Sequence, residues 1–445
     1  MISNYRTLID KIKIEKPFQY LFTRTKGDKY IWGSVLLLVL ASLLVVYSAT
    51  GSLAYKMNHG HTEVYLFKQL MFILAGLFVI YLLHRINYTL FSRIAQILYL
   101  ISLPLLAYTL FFGAEINDGS RWIKVPIIHL TIQTSDFAKL ALFMYISRQL
   151  SKKQSVIKDF KKGFLPLIIP ICLTCVLIMP ANLSNALLTG AISLVLLFIG
   201  RVNLKYIFSF IGIVAIPIVI LISIAIATHK DVDKDNLNDP TTSSVSSSGG
   251  VFKRLGTWVS RIQDFIYATG DDKDAPYQVQ QAKIAIANGN VLWGLGPGNS
   301  RQRNFLPQAY NDFIYSIIIE EYGLLGGAFI MFIYLMFLFR CIRIFRRCPY
   351  AFGAFLALGL SFTLVIQALA NMAVNVNIVP VTGVTLPLVS MGGSSFLFTC
   401  VSIGIILSVA RNVEVQEGKR SAAITAEVVA EDMENDSNKI NSKAE

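Results

Sequence analysis

The stretch NFLPQAYNDFIYSIIIEEYGLLGG, residues 304–327, passes from a polar loop into an apolar run while carrying three acids, Asp312, Glu320 and Glu321. Asp312 stands where the loop ends, and the glutamates follow two to three helical turns later. Charge inside a membrane span costs roughly 2.5–3.5 kcal/mol per residue on insertion scales, so it faces a cavity or a partner. At about 100° per residue only Glu320 returns near the face of Asp312. Glu321 points roughly opposite, toward a buried cation such as Lys139. The expectation is one acid for chemistry and two for the structure of a cavity.

Apolar runs of this kind fill the chain. Of its 445 residues 54% are hydrophobic and only 15% charged, against roughly 25% charged in a soluble domain. Windows of about 20 residues place spans at 31–50, 66–84, 93–112, 133–150, 164–180, 184–200, 205–227, 312–339, 351–374 and 384–410. The expected fold is an all-α polytopic membrane protein with about ten transmembrane helices. The first run is too long for a signal-peptide core and lacks a convincing cleavage site, so it reads as a retained span. Residues 1–30 form a cytoplasmic segment, 31–411 the membrane domain, and 412–445 a polar tail whose mixed charge and scarce aromatics predict disorder.

Lys and Arg collect before the first span, at Arg85, between Arg148 and Lys162, between Arg201 and Lys205, and between Arg340 and Arg347. These are alternate loops, which puts them and both termini on the cytoplasmic side. The net charge of +13 therefore reads as topology and contact with anionic membrane lipids. No basic soluble domain exists to bind nucleic acid. The five cysteines, Cys172, Cys175, Cys341, Cys348 and Cys400, all avoid the outer loops, which argues against a disulfide framework. The Cys172–Cys175 pair has no nearby His or acid and reads as apolar packing.

One outer loop, about 228–311 between spans seven and eight, is long enough to be functional. Its first part is hydrophilic. Then residues 251–268 set Leu255, Trp258, Val259, Ile262 and Phe265 at helical spacing beside Lys253, Arg254 and Arg261, a pattern that suits the membrane interface; packing on its own loop is the other reading. A second helical pattern follows from 277 and runs into Gly294, Gly296 and Gly298. Further polar patches share this outer side. They are 117–122 with Gln133, Asp136 and Lys139; Asn182 to Asn185; and Asn375 to Thr382 followed by 386–395. Singly each could be a cap or a packing surface. Together they suggest one cavity.

In order along residues 30–411 these patches resemble the SEDS family of bacterial membrane proteins. The resemblance rests on Gly-Ser-Arg-Trp at 119–122, Gln-x-Ser-acid-x-x-Lys at 133–139, Gly298-Asn299-Ser300-x-Gln302, Asp312-Phe313-Ile314, Glu320-Glu321-x-Gly323 and Leu-Pro-Leu-x-Ser-x-Gly-Gly-Ser-Ser at 386–395. Gly-Asn-Ser-x-Gln is closer to the cell-division (FtsW) branch than to the elongation branch. The usual Pro-Glu-Ala-His-Thr-Asp reads Pro-Gln-Ala-Tyr-Asn-Asp at 307–312, and the usual Pro-Ser-Glu reads Thr-Ser-Asp at 134–136. Asp312 itself is intact.

The resemblance implies a ten-span peptidoglycan glycosyltransferase that polymerises lipid II, an undecaprenyl-pyrophosphate-linked disaccharide-pentapeptide, at the division septum of the bacterial cytoplasmic membrane. It also implies a class B penicillin-binding transpeptidase and other divisome proteins as partners. A hydroxyl nucleophile needs a base, and Asp312 matches the family's essential Asp; helix capping is its alternative role. A pyrophosphate leaves without protonation, so cations suffice at that end. Arg121, Lys139, Arg254 and Arg261 are candidates, with Asn299, Ser300, Ser394 and Ser395 as further substrate contacts and Glu320 and Glu321 as cavity structure. A divalent cation, Mg or Mn, is another possible holder, although no ligand cluster is visible in the sequence. Other readings are a lipid-linked precursor flippase and a non-enzymatic divisome scaffold, both of which leave Asp312 dispensable for polymerisation.

Overall fold

The computed structural model describes residues 27–51, 53, 62–116, 119–125, 130–227, five positions between 256 and 263, 277–289 and 292–441. Most of the N-terminal segment and most of the expected interfacial helix at 251–268, with Arg254, lie outside the described residues.

Ten long helices appear where apolar runs predict them. They are α1 (Lys29–Ala49), α2 (Glu63–Arg85), α3 (Tyr88–Phe112), α4 (Thr134–Lys152), α5 (Leu165–Ile178, entered through a π turn at Phe160–Phe164), α6 (Leu183–Ile199), α7 (Leu204–Ala227), α9 (Ile314–Arg347), α10 (Ala351–Asn375) and α11 (Ser394–Asn441). A shorter α8, Tyr277–Asn288, lies in the outer loop. Among the described residues eight helices are long and apolar enough to cross a membrane. Of the other two, α6 is apolar but short, and α4 carries Asp136, Lys139, Arg148 and Lys152.

Helix starts are chemically marked. The Asp28 carboxylate accepts the Tyr30 N–H at 2.9 Å and so caps α1. The same carboxylate takes Arg340 Nε of α9 at 2.9 Å, tying two helices at the basic end. Asn87 caps α3 and Asn182 caps α6, the use for which Asn is favoured. Where α2 crosses α11, glycines let the helices close: a Cβ on Gly404 would lie 2.8 Å from that of Leu83, and one on Gly76 would lie 2.5 Å from Cys400 Sγ. Small residues serve this purpose in membranes, where lipid is as apolar as the helix. The most enclosed helices are α4, α10 and α11, while α7 has only 6% of its apolar window buried and faces lipid nearly all round.

Three points refine these expectations. First, the expected all-α membrane fold holds and carries one small sheet: β1 (Ala114–Ile116), β2 (Gly119–Val125) and β3 (Leu130–Gln133) pair antiparallel in the order β1-β2-β3. Trp122 pairs with Gln133 and Val125 with Leu130. The aromatic and β-branched residues of Trp-Ile-Lys-Val suit a strand, but the polar neighbours of this run make it read as a loop. Second, the last span begins at Ser394 rather than 384. Residues 384–390 are buried, irregular backbone; Pro387 lacks an N–H and Leu388 has φ of 63°. Third, the tail expected to be disordered continues α11 to Asn441. After Gly418 it has no Gly or Pro and is rich in Ala, Glu and Lys, all strong helix formers.

The long helix α9 is broken at Gly323, where φ is 67° and ψ −172°. The break removes N–H donors from the carbonyls of the turn above it. The Leu295 and Gly296 N–H groups replace them, donating to the Glu320 and Glu321 carbonyls at 2.9 Å each. Contact here is backbone against backbone: a Cβ on Gly323 would stand 2.2 Å from the Leu292 carbonyl oxygen, and one on Gly294 2.4 Å from that of Glu321. Gly323→Ala should therefore destabilise the protein by about 1–3 kcal/mol from backbone strain alone, with the clash added. Intrinsic-fluorescence melting in detergent should show a lower thermal midpoint for Gly323→Ala and an equal or higher one for Gly33→Ala, a helical position whose added Cβ meets nothing within 4 Å.

Candidate functional site

Asp312 ends a loop whose apolar members Leu306 and Ala309 are buried in the bundle, as is Phe313 just after it. Its side chain is partly exposed. The N-cap residue of α9 is Phe313. Asn375, the last residue of α10, accepts from the Ser316 N–H at 3.0 Å and from its hydroxyl at 2.8 Å. Capping of the first turn of α9 therefore comes from α10. The Asp312 carbonyl accepts from the Asn371 and Asn375 amides at 2.7 and 3.0 Å. Tyr310, beside it in the loop, has its phenol pKa raised by burial, then by Tyr65 and by the negative charge of Asp312.

The segment between α10 and α11 folds back into the bundle and supports this loop. Irregular backbone at membrane depth is tolerated only where protein supplies its hydrogen bonds. Here side chains do so: Gln367 donates to the Thr385 carbonyl at 3.2 Å, Asn371 to that of Val384 at 2.7 Å and Ser42 to that of Val389 at 2.8 Å. The Tyr334 hydroxyl reaches the Pro387 carbonyl. The Arg261 guanidinium extends to the Val381 carbonyl at 3.5 Å, bringing one expected cation to the segment between α10 and α11.

Next to this segment a cleft opens between α4, α10 and α11, lined by Asp136, Lys139, Gln367, Ser395 and Thr399 with apolar neighbours. Lys139 pairs with Asp136 at 2.8 Å and donates to Asn185 at 3.2 Å. It thus reaches the cleft as half of an ion pair. Ser394 accepts the Gln133 N–H at 3.2 Å, joining β3 to α11. Arg121 lies on β2, with its side chain outside the described set.

Glu320 and Glu321 form a separate cluster. Glu320 is fully buried and accepts the Arg301 and Gln302 N–H groups at 3.1 and 3.2 Å, together with the Ser300 hydroxyl. Glu321 accepts the Ser48 hydroxyl of α1 and the Ser300 N–H at 3.4 Å. The expected Glu321–Lys139 pair is not formed, because Lys139 has its own acid one turn away on α4. Glu320 turns toward the 300–302 loop and not toward Asp312, since the break at Gly323 draws that loop onto α9. Ser300, expected at the substrate, is buried against both carboxylates. Asn299 is exposed and donates to its own loop at Leu295. Among the described residues no group of three or more His, Cys, Asp or Glu could hold a metal ion.

Sequence reasoning missed Gln367 and Asn371, and took Asn375 only as part of a loop patch. The signal was present: Thr363, Gln367, Asn371 and Asn375 recur every four residues, which draws one polar stripe down an apolar helix.

A family model described as cell cycle protein, FtsW/RodA/SpoVE, matches residues 28–415. The chain is 32% identical over 406 residues to "Probable peptidoglycan glycosyltransferase FtsW" of Trichlorobacter lovleyi, covering 90% of this chain and 97% of that one. It is 29% identical over 394 residues to stage V sporulation protein E of Bacillus subtilis, covering 87% and 98%. In fold it is similar to a chain of a peptidoglycan synthase complex that coordinates polymerization and crosslinking, with a TM-score of 0.63, 24% identity and coverage of 87% and 98%. Rod shape determining protein RodA of Thermus thermophilus aligns at a TM-score of 0.57 and 22% identity, covering 87% and 97%. The ten helices, the motifs on them and the match across nearly the whole membrane domain lead to one assignment: the chain belongs to the FtsW/RodA/SpoVE family of cell cycle proteins.

Proposed function

We propose that this protein is a peptidoglycan glycosyltransferase of the cell-division type, polymerising lipid II at the outer face of the bacterial inner membrane with Asp312 as general base. The observation that carries the role of Asp312 is the capping arrangement: Asn375 serves the first turn of α9, so that turn does not depend on the Asp312 carboxylate. The relatives named as glycosyltransferases support the reaction class.

In the proposed step the 4-hydroxyl of one sugar attacks the anomeric carbon of another. A carbon–oxygen bond forms there, the bond to the lipid pyrophosphate breaks, and the hydroxyl proton passes to Asp312. A positioned base contributes about 10²–10⁴-fold. Pyrophosphate needs charge stabilisation rather than a proton. Arg261, held at Val381 in the segment that supports the Asp312 loop, is the favoured cation among the described residues, with Arg121 and Arg254 as further candidates and Lys139 as the buried cation of the cleft wall. A class B transpeptidase is the proposed partner, in keeping with the synthase complex that shares the fold.

Two measurements test this. Asp312→Asn keeps size and hydrogen bonding, so the purified variant with its transpeptidase should melt like wild type yet lose about 10²–10⁴-fold in lipid II polymerisation; full-length glycan from it would refute the base. For orientation, both termini and Gln154 are assigned to the cytoplasm and Ser246 to the outside. A cysteine at Ser246 should react with an impermeant thiol reagent on intact cells and one at Gln154 should not. The opposite pattern would overturn the sidedness.

A further inference from the structure

Three successive carbonyls, 310–312, lead to the start of α9, and all three are held from α10 and the segment after it. The Met391 N–H donates to the Tyr310 carbonyl at 3.0 Å, the Ser390 hydroxyl to that of Asn311 at 2.6 Å, and Asn371 with Asn375 to that of Asp312. Asn375 differs from the others because it acts at both ends of one helical turn. In a continuing helix the Ser316 N–H would donate to the Asp312 carbonyl four residues back. The Asn375 amide stands between these two groups. Its oxygen accepts from Ser316 and its nitrogen donates to Asp312. It also donates to the Asn371 carbonyl at 2.9 Å, so its orientation is fixed by its own helix.

We infer that Asn375 is a positioning residue for glycosyl transfer: its side-chain amide, inserted where a helical hydrogen bond would close, fixes the backbone of Asp312 and thereby the place of its carboxylate. This rests on the reading of Asp312 as base. Asn375 touches no reacting atom in this scheme. An amide can serve both ends because it carries an acceptor and a donor. A carboxylate at the same place could accept from Ser316 but could not donate to Asp312. That difference separates positioning from capping, since Asp and Asn cap helices equally well.

The test compares Asn375→Asp, Asn375→Leu and wild type, each purified in complex with its transpeptidase and assayed on lipid II. Misplacing a reacting group by about 1 Å costs up to about a hundredfold in rate. Both variants should lose about ten- to a hundredfold in kcat with KM within about threefold of wild type. An Asn375→Asp enzyme working at the wild-type rate would show that the residue only caps α9 and would overturn the inference. Asn375→Leu is neutral and similar in volume, which covers the case in which a buried carboxylate prevents folding. A second readout does not use the reaction. With cysteine in place of Asp312, the rate of modification by a charged maleimide should change at least about fivefold when Asn375→Leu is added. An unchanged rate would overturn the inference. If Asp312→Asn retains activity, the base reading fails by itself, and the labelling rates still report whether Asn375 sets the geometry at 312.

Discussion

Backbone that leaves the helix inside a bilayer must find donors and acceptors from the protein itself, since lipid offers none. The site depends on meeting that demand twice. Below the 384–390 segment, side chains of α1, α9 and α10 satisfy its carbonyls. At the break in α9, the N–H groups of Leu295 and Gly296 satisfy the carbonyls of Glu320 and Glu321. With both repairs in place the loop ending at Asp312 is held on one side by the buried glutamates and on the other by the asparagines of α10. Remove either repair and the carboxylate has no defined seat.

The buried acids follow the same logic. A carboxylate within a span is expensive, and among the described residues the cation acting on Glu321 is Arg303 of the outer loop. Donors from the outer loop and from Ser48 surround the two glutamates. The loop is thus fastened to α9 through hydrogen bonds to two buried carboxyl groups. Asp136 and Lys139 take the other route and neutralise each other across one turn of α4. Environment sets the acids apart: Glu320 and Glu321 anchor the loop, Asp136 and Asp28 sit in ion pairs, and Asp312 takes a partly exposed place.

Much of the architecture is legible in the sequence because a bilayer imposes a simple length rule. All ten helices were found, including α4 despite its charges, and Asp312 stood out as an acid at the mouth of a span. What stayed hidden has physical causes. Residues 384–390 are as apolar as a helix, and only the donors aimed at their carbonyls reveal that they are not one. Glu320 and Glu321 were projected on an ideal helix, whereas the loop drawn against Gly323 supplies their partners. Gln367 and Asn371 were visible as a four-residue rhythm but were overlooked in a strongly apolar run. Long-range donors cannot be read from spacing within one helix.

The break in α9 also bears on how the protein meets membranes of different thickness. At 1.5 Å per residue, residues 314–322 make a rod of about 14 Å and residues 324–347 one of about 36 Å. The lower rod ends in Arg340, Arg343, Arg346 and Arg347, so its apolar part, 324–339, spans only about 24 Å, short of the roughly 30 Å hydrocarbon layer, and its basic end is pinned by Asp28. A stretch shorter than the layer is met by thinning of the bilayer and by snorkelling of the flanking cations. The short upper rod is bonded to the loop and to α10, so the two parts need not move together. The carboxylate lies above the break, on the part fastened by the loop and α10, so those bonds set its height, whatever the bilayer imposes on the lower rod.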